Sequence, residues 1–229
     1  MPAKNSRKQF VENSYYHIYN RGVEKRQIFM DEMDYSVFIS YLKNYLLPKS
    51  EEFLRNILSD ENSTLKQKAE ALKLLKLNNF SETISLTAYC LMGNHFHLLV
   101  KQTMADGIDR FMNSLMTRYT MYFNRRHKRV GHLFQGNYKA VRIETEAQLL
   151  HLTRYIHQNP ASKGHAFQTY PYSSYQQYIS PTGIAWVKPE EILTYFSKQG
   201  INSYTAFVGD IYTYDSLQII AGLTLSESN

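Results

Sequence analysis

Three features of this 229-residue sequence predict an α+β fold. Short β-rich runs and helical runs follow one another in the order β-α-β-β-α-β-α. A Gly-Asn pair joins the second and third of the β runs. The longest helical run, 107–126, keeps a clear 3.6-residue apolar period. That order is the split βαβ arrangement of ferredoxin-like folds: a four-stranded antiparallel sheet with helices on one face, followed here by a C-terminal helix. Many functions use such a sheet, so the fold alone decides none of them.

The elements can be justified in turn. SYYHIYN, residues 14–20, is rich in β-formers and stops at Arg21-Gly22. Residues 31–47 place Tyr35, Phe38, Leu42, Tyr45 and Leu46 at helical spacing, with acids at the start and Pro48 as the stop. Residues 49–82 change character. Their charges are mixed, SDENST reads as a break between two short helices, and Leu65, Ala69, Leu72 and Leu75 form one expected apolar stripe. This is a helical insertion too short to hold a core of its own. Residues 83–92 form the second strand, Gly93-Asn94 the turn, and 95–100 the third strand. In helix 107–126, Ile108, Phe111, Met112, Leu115, Tyr119, Tyr122 and Phe123 share the apolar face. NYKAVRI, 137–143, is the fourth strand. Thr145 with Gln148 has the capping-box form and opens a helix that must end near Asn159, because Pro160 follows. Beyond about 180, WVKPEEILTYF and SYTAFVGDIY read as two short helices. The chain thus divides into a domain over 1–180, carrying the insertion at about 49–82, and a small helical C-terminal extension over 181–229.

Composition narrows the function classes. Hydrophobic residues make up 43%, too many for a disordered chain. No apolar run approaches the ~18 residues of a transmembrane helix. The polar N-terminus lacks the apolar core of a signal peptide, and the single cysteine, Cys90, has no internal partner, so a reducing, cytoplasmic setting is expected. The net charge is +6, and its distribution is informative. Between residues 118 and 142 lie Arg118, Arg125, Arg126, Lys128, Arg129, Lys139 and Arg142, with no acid among them. Tyr119, Tyr122, Phe123, Phe134 and Tyr138 are interleaved. Cations for phosphates and rings for unstacked bases suit a nucleic-acid surface. A solvated basic helix end followed by a loop is the plainer alternative.

The chemistry is concentrated in GNHFHLLV, residues 93–100. Side chains alternate along a strand, so His95 and His97 share one face while Phe96, Leu98 and Val100 take the other. Two neutral imidazoles at that spacing can chelate one metal ion. Taken alone, the pattern also fits two polar residues on an open sheet face. In RYIHQNP, residues 154–160, Tyr155 and Asn159 are one helical turn apart on a common face, with His151 a further turn back. Tyrosine is a nucleophile in covalent catalysis, and an asparagine amide oxygen can ligate a cation.

LMGNHFHLLV, HLFQGNYKA, RYIHQNPASKG and YPYSSYQQY occur in that order. Together they resemble the REP-associated branch of the single-tyrosine transposases, whose HUH motif (histidine, hydrophobe, histidine) is matched by His95-Phe96-His97. The match runs from about residue 14 to 178. The resemblance implies that Tyr155 attacks a DNA phosphodiester, forms a 5′-phosphotyrosine and releases a 3′-hydroxyl. It implies Mg²⁺ or Mn²⁺ held by His95, His97 and Asn159; asparagine at the last position, where many relatives carry glutamine, fits the branch. The implied partner is single-stranded DNA containing a hairpin, bound by a monomer or homodimer, with no membrane involved. The chemistry is coherent. A tyrosine hydroxyl titrates near ~10, and a nearby cation favours its phenolate. The phosphotyrosine bond conserves the energy of the broken phosphodiester, so no ATP is needed.

Tyr119, Tyr122 and Tyr138 are rival nucleophiles, and His132 and Gln135 are either DNA-contacting or structural. Two other functions fit the same residues: a module that binds single-stranded nucleic acid without cutting it, and a metal-dependent hydrolase that uses water and forms no covalent species.

Overall fold

The computed structural model describes residues 10–180, 185–210 and 218–224. Four strands, β1 (Ser14–Arg21), β2 (Ile84–Met92), β3 (His95–Gln102) and β4 (Lys139–Arg142), form one antiparallel sheet in the order β2-β3-β1-β4. Five longer helices follow the expected order: α1 (Glu32–Leu46), α2 (Glu51–Ser59), α3 (Leu65–Lys76), α4 (Gly107–Arg126) and α5 (Glu146–Gln158). The predicted α+β sheet is therefore present, with β1 and β3 paired at its centre.

Each face of the sheet has its own core. On one face, Ile18, Phe96, Leu98 and Val100 pack with Phe38 and Leu42 of α1 and with Phe111, Leu115 and Tyr119 of α4. On the other, Ala88, Cys90, Met92 and Leu99 pack with Leu149, Leu152 and Ile156 of α5. The histidine-bearing face is thus roofed by α5 and by residues of the C-terminal extension, including Ile192, Tyr204, Val208, Ile220 and Leu223. A bulge between Leu86 and Ala88 sets this two-sided pattern in β2. Before it, the even residues Ile84 and Leu86 face α1 and α4; after it, the odd residues Tyr89 and Leu91 do. The extra residue reverses the alternation and turns Cys90 and Met92 toward α5.

The turn between β2 and β3 is held from outside. Gly22 N–H donates to the Asn94 carbonyl at 2.8 Å, and Ile28 and Phe29 N–H donate to the Gly93 carbonyl at 2.8 and 3.0 Å. A Cβ on Gly22 would lie 2.2 Å from the Arg26 carbonyl oxygen, so only glycine lets the chain fold over the turn. Along the outer edge of β2, the chain closes its own ladder: Leu91 N–H donates to the Tyr172 carbonyl at 2.9 Å, Ser174 N–H to Tyr89 at 3.0 Å, and Lys188 N–H to Leu86 at 2.8 Å.

Two local expectations are corrected. Leu65 and Leu72 are exposed, as is Ala69; α3 instead buries Ala71, because among the described residues its main partner is the short α2, which offers Leu54. Trp186 and Val187 are not helical: Val187 bridges Leu86 in a strand-like contact, and the helix that follows (α7) spans only Glu190–Leu193. It is preceded by a short helix, α6, at Tyr175–Ile179, and followed by α8 at Tyr204–Gly209; the end of SYTAFVGDIY at 211–212 lies outside the described residues.

Candidate active site

β3, β1 and α5 together assemble the site. Register places His95 opposite Arg21 and His97 opposite Tyr19 on β1. His95 opens its strand directly after the Gly-Asn turn, and the turn fixes its ring. Asn94 Nδ2 donates to the Lys25 carbonyl at 3.1 Å, which leaves Asn94 Oδ1 facing His95 Nδ1 at 2.7 Å. With that proton taken, His95 Nε2 turns toward Asn159 Oδ1, 3.0 Å away. Two acceptor atoms at that separation are stabilised by a cation or proton between them. Asn159 is held there because Pro160 ends α5, and the chain continues in a tight 3₁₀ turn over Asn159–Lys163.

His97 is fully buried. Its Nδ1 meets Nε2 of His17 at 2.9 Å, and its own Nε2 has no hydrogen-bond partner. The Tyr155 ring stands edge-on to His97 with centroids 5.4 Å apart. Burial lowers the pKa of His97 well below 6.5, helped by the neighbouring His17 and His95, and burial lowers His17 to about 4. Both rings are neutral at pH 7, the form that ligates metals.

A cavity of about 680 Å³ opens over His95, Tyr155 and Asn159. Arg21, Lys25 and Lys163 line it, with no aspartate or glutamate among its lining residues. An anion such as a phosphodiester fits that electrostatic character. Arg21 is anchored by Nε donating to Gln135 Oε1 at 2.8 Å, and Gln135 N–H donates to the Arg21 carbonyl at 2.8 Å. Gln135, from the HLFQG stretch, therefore holds Arg21, which lines the cavity; His132 is exposed.

The remaining sequence candidates fall elsewhere. His151 turns to Phe207 of α8, with ring centroids 5.4 Å apart, although it lies on the same side of the helical period as Tyr155. The rival tyrosines sit on the opposite face of the sheet. Tyr119 donates to the Ile28 carbonyl at 2.6 Å, Tyr122 to Asp34 at 3.1 Å, and Tyr138 to Asp109. Burial raises all three hydroxyls, Tyr122 to about 12. Among the basic residues, Arg118 stacks on Tyr41 at 3.8 Å. Arg126 bridges Asp31 at 2.7 Å and Asp34 at 2.6 Å, and Arg129 donates to Asn124 at 2.7 Å. Arg125, Lys128, Lys139 and Arg142 are exposed. Sequence reasoning missed Arg21, Lys25, Lys163, His17 and Tyr19, whose ring lies 6.0 Å from that of His97. The alternation in SYYHIYN puts Tyr15, His17 and Tyr19 on one face, which was the available signal.

The family described as "Transposase IS200 like" matches residues 10–159, and the chain belongs to that family. Among solved structures, it is similar to the REP-associated tyrosine transposase bound to a REP hairpin, with 11% identity over 77% of this chain and 86% of that one and a TM-score of 0.48. It is also similar to a candidate transposase from Deinococcus radiodurans R1, with 17% identity over 71% of this chain and 98% of that one and a TM-score of 0.33. No curated protein matches the chain. Among the described residues, no helix is long and apolar enough to cross a membrane.

Proposed function

We propose that this transposase cleaves and rejoins single-stranded DNA through Tyr155. The Tyr155 oxygen attacks a phosphodiester phosphorus, the bond to the 3′-oxygen breaks, and the phenolic proton ends on the released 3′-hydroxyl. The phosphoryl group stays on the tyrosine as a 5′-phosphotyrosine. Attack by a 3′-hydroxyl on that bond reverses the step and joins strands without ATP.

One observation carries this reading. Tyr155, the tyrosine that the motif resemblance selects, stands against His97, while Asn159 from the next turn of chain meets His95 at 3.0 Å. The rival tyrosines of α4 and the 138 region lie across the sheet. His95 Nε2, His97 Nε2 and Asn159 Oδ1 would hold the divalent cation, and the unpartnered, buried Nε2 of His97 supports that fit. When bound, such a cation draws charge from the phosphate oxygens and favours the phenolate. Among the described residues no three His, Cys, Asp or Glu side chains converge to hold a metal. Two imidazoles and one amide oxygen leave positions for phosphate and water oxygens, which suits Mg²⁺ or Mn²⁺. Arg21, Lys25 and Lys163 orient the scissile phosphate. The exposed Arg125, Lys128, Lys139 and Arg142 hold the backbone of a hairpin-containing strand. The C-terminal extension serves as a roof over the site.

Covalent capture tests the reading. The protein is mixed with Mn²⁺ and labelled single-stranded DNA from the flanks of its own gene, denatured, and resolved on a gel. Labelled protein is expected from the wild type and absent from Tyr155→Phe and from the His95→Ala/His97→Ala double variant. An adduct that persists in Tyr155→Phe would move the assignment to Tyr19, the other tyrosine ring near His97. Tight DNA binding with no adduct would identify a binding module, and cut DNA with no adduct would identify a hydrolase.

A further inference from the structure

His17 belongs to no motif that pointed to function, yet it is hydrogen-bonded to His97, a proposed metal ligand. Its ring is fully buried and lies nearly parallel to that of His97, with centroids 5.1 Å apart and planes 21° apart. Its Nδ1 is hydrogen-bonded to the backbone carbonyl of Leu223. A carbonyl only accepts, so the proton sits on His17 Nδ1. A neutral imidazole carries one N–H, which leaves His17 Nε2 as a lone pair. That lone pair faces His97 Nδ1 at 2.9 Å, so His97 donates from Nδ1. The last atom of the series, His97 Nε2, is then a bare lone pair, and it is the buried atom without a hydrogen-bond partner.

We propose that His17 is a positioning residue: it fixes His97 in the tautomer whose Nε2 can bind a cation, and the Leu223 carbonyl fixes His17 in turn. The inference rests on the cation site proposed above. Metal-ligating histidines commonly give their second N–H to such a partner, which sets both the tautomer and the ring orientation. Here the partner is another histidine, and the acceptor that orients it comes from the C-terminal extension, 206 residues further along the chain. Docking of residues 218–224 therefore reaches the ligand through two hydrogen bonds. The opposite tautomer of His97 would set two lone pairs against each other at 2.9 Å and aim an N–H at the cation.

Long-range ¹H–¹⁵N correlation spectra of the full chain labelled at histidine nitrogens read the tautomers directly. In the wild type, His97 is expected to be protonated at Nδ1 and His17 likewise. His17→Phe keeps a buried ring but removes the acceptor. It is expected to populate the Nε2–H form of His97 and to weaken Mn²⁺ binding, followed by calorimetry, by about 10–100-fold. His17→Gln presents an amide oxygen to His97 Nδ1 and should restore most of the affinity, which a purely space-filling role would not explain. A wild-type His97 protonated at Nε2 overturns the proposal even if His17→Phe does not fold. Equal Mn²⁺ affinity in wild type and His17→Phe overturns the positioning role while leaving the cation site standing. A wild type with the expected tautomers that binds no Mn²⁺ would overturn the cation site itself, and with it the role assigned to His17.

Discussion

The two faces of the sheet are made by the same strands and do opposite work. Toward α1 and α4, β3 shows Phe96, Leu98 and Val100, and the surroundings are apolar and closely packed. Toward α5 it shows His95 and His97, and the surroundings supply His17, Asn159 and Tyr155. A two-residue period separates an apolar packing surface from a polar, histidine-bearing one within six consecutive residues. The apolar face gains by excluding water. The polar face is buried too, and it is tolerable because most groups on it have a partner; His97 Nε2 is one buried atom that lacks a hydrogen bond.

The sharpest way to break this contrast is to delete one side chain from each face. Phe96→Ala should lower unfolding stability by about 3–5 kcal/mol in denaturant titrations, since a fully buried ring leaves a cavity. His95→Ala should cost roughly 1 kcal/mol or less and remove adduct formation. Comparable stability losses would show that the polar face is structural. Acid is the next largest probe. His17 and His157 are buried and lowered to about 4 and about 3. The folded state keeps them neutral while the unfolded state takes protons below about 6.5, so their contribution is present above that pH and is lost as the pH falls toward 4. The expected loss by pH 4 is of order 3 kcal/mol per ring, and melting curves from pH 7 to 4 would record it. A flat profile would contradict neutral burial.

A smaller effect separates the two kinds of arginine. Arg126→Ala removes the bridge to Asp31 and to the buried Asp34 and should lower the midpoint of unfolding in denaturant. Arg125→Ala should leave stability unchanged and weaken hairpin binding several-fold, read by fluorescence anisotropy at fixed salt. The reverse result would return Arg126 to the DNA surface. Least of all, Leu65→Ser on exposed α3 should shift stability by under about 0.5 kcal/mol.

The periodic elements were legible because periodicity is local: helix 107–126 is found at Gly107–Arg126. The histidine pair and the α5 residues were legible for the same reason, each lying within one turn or one strand. His17 was not, because its contact with His97 spans 80 residues and exists only once β1 pairs with β3. The cavity cations were hidden behind a stronger signal, the run from Arg118 to Arg142, several of whose members are occupied by Tyr41, Asp34 and Asn124. Charge density in sequence does not distinguish a cation facing solvent from one already paired. The bulge at Thr87 was also out of reach, since β2 is apolar on both sides of it.

The closed edge of β2 bears on how this chain behaves among copies of itself. An open strand is a template on which another chain can grow a sheet. Along β2, the segments near Tyr172, Ser174 and Lys188 already occupy that ladder. The opposite edge, β4, offers four residues bracketed by the exposed Lys139 and Arg142, whose like charges repel a second basic copy. Among the described residues the sheet therefore presents no long neutral border, which guards its β-forming, aromatic segments against edge-to-edge aggregation.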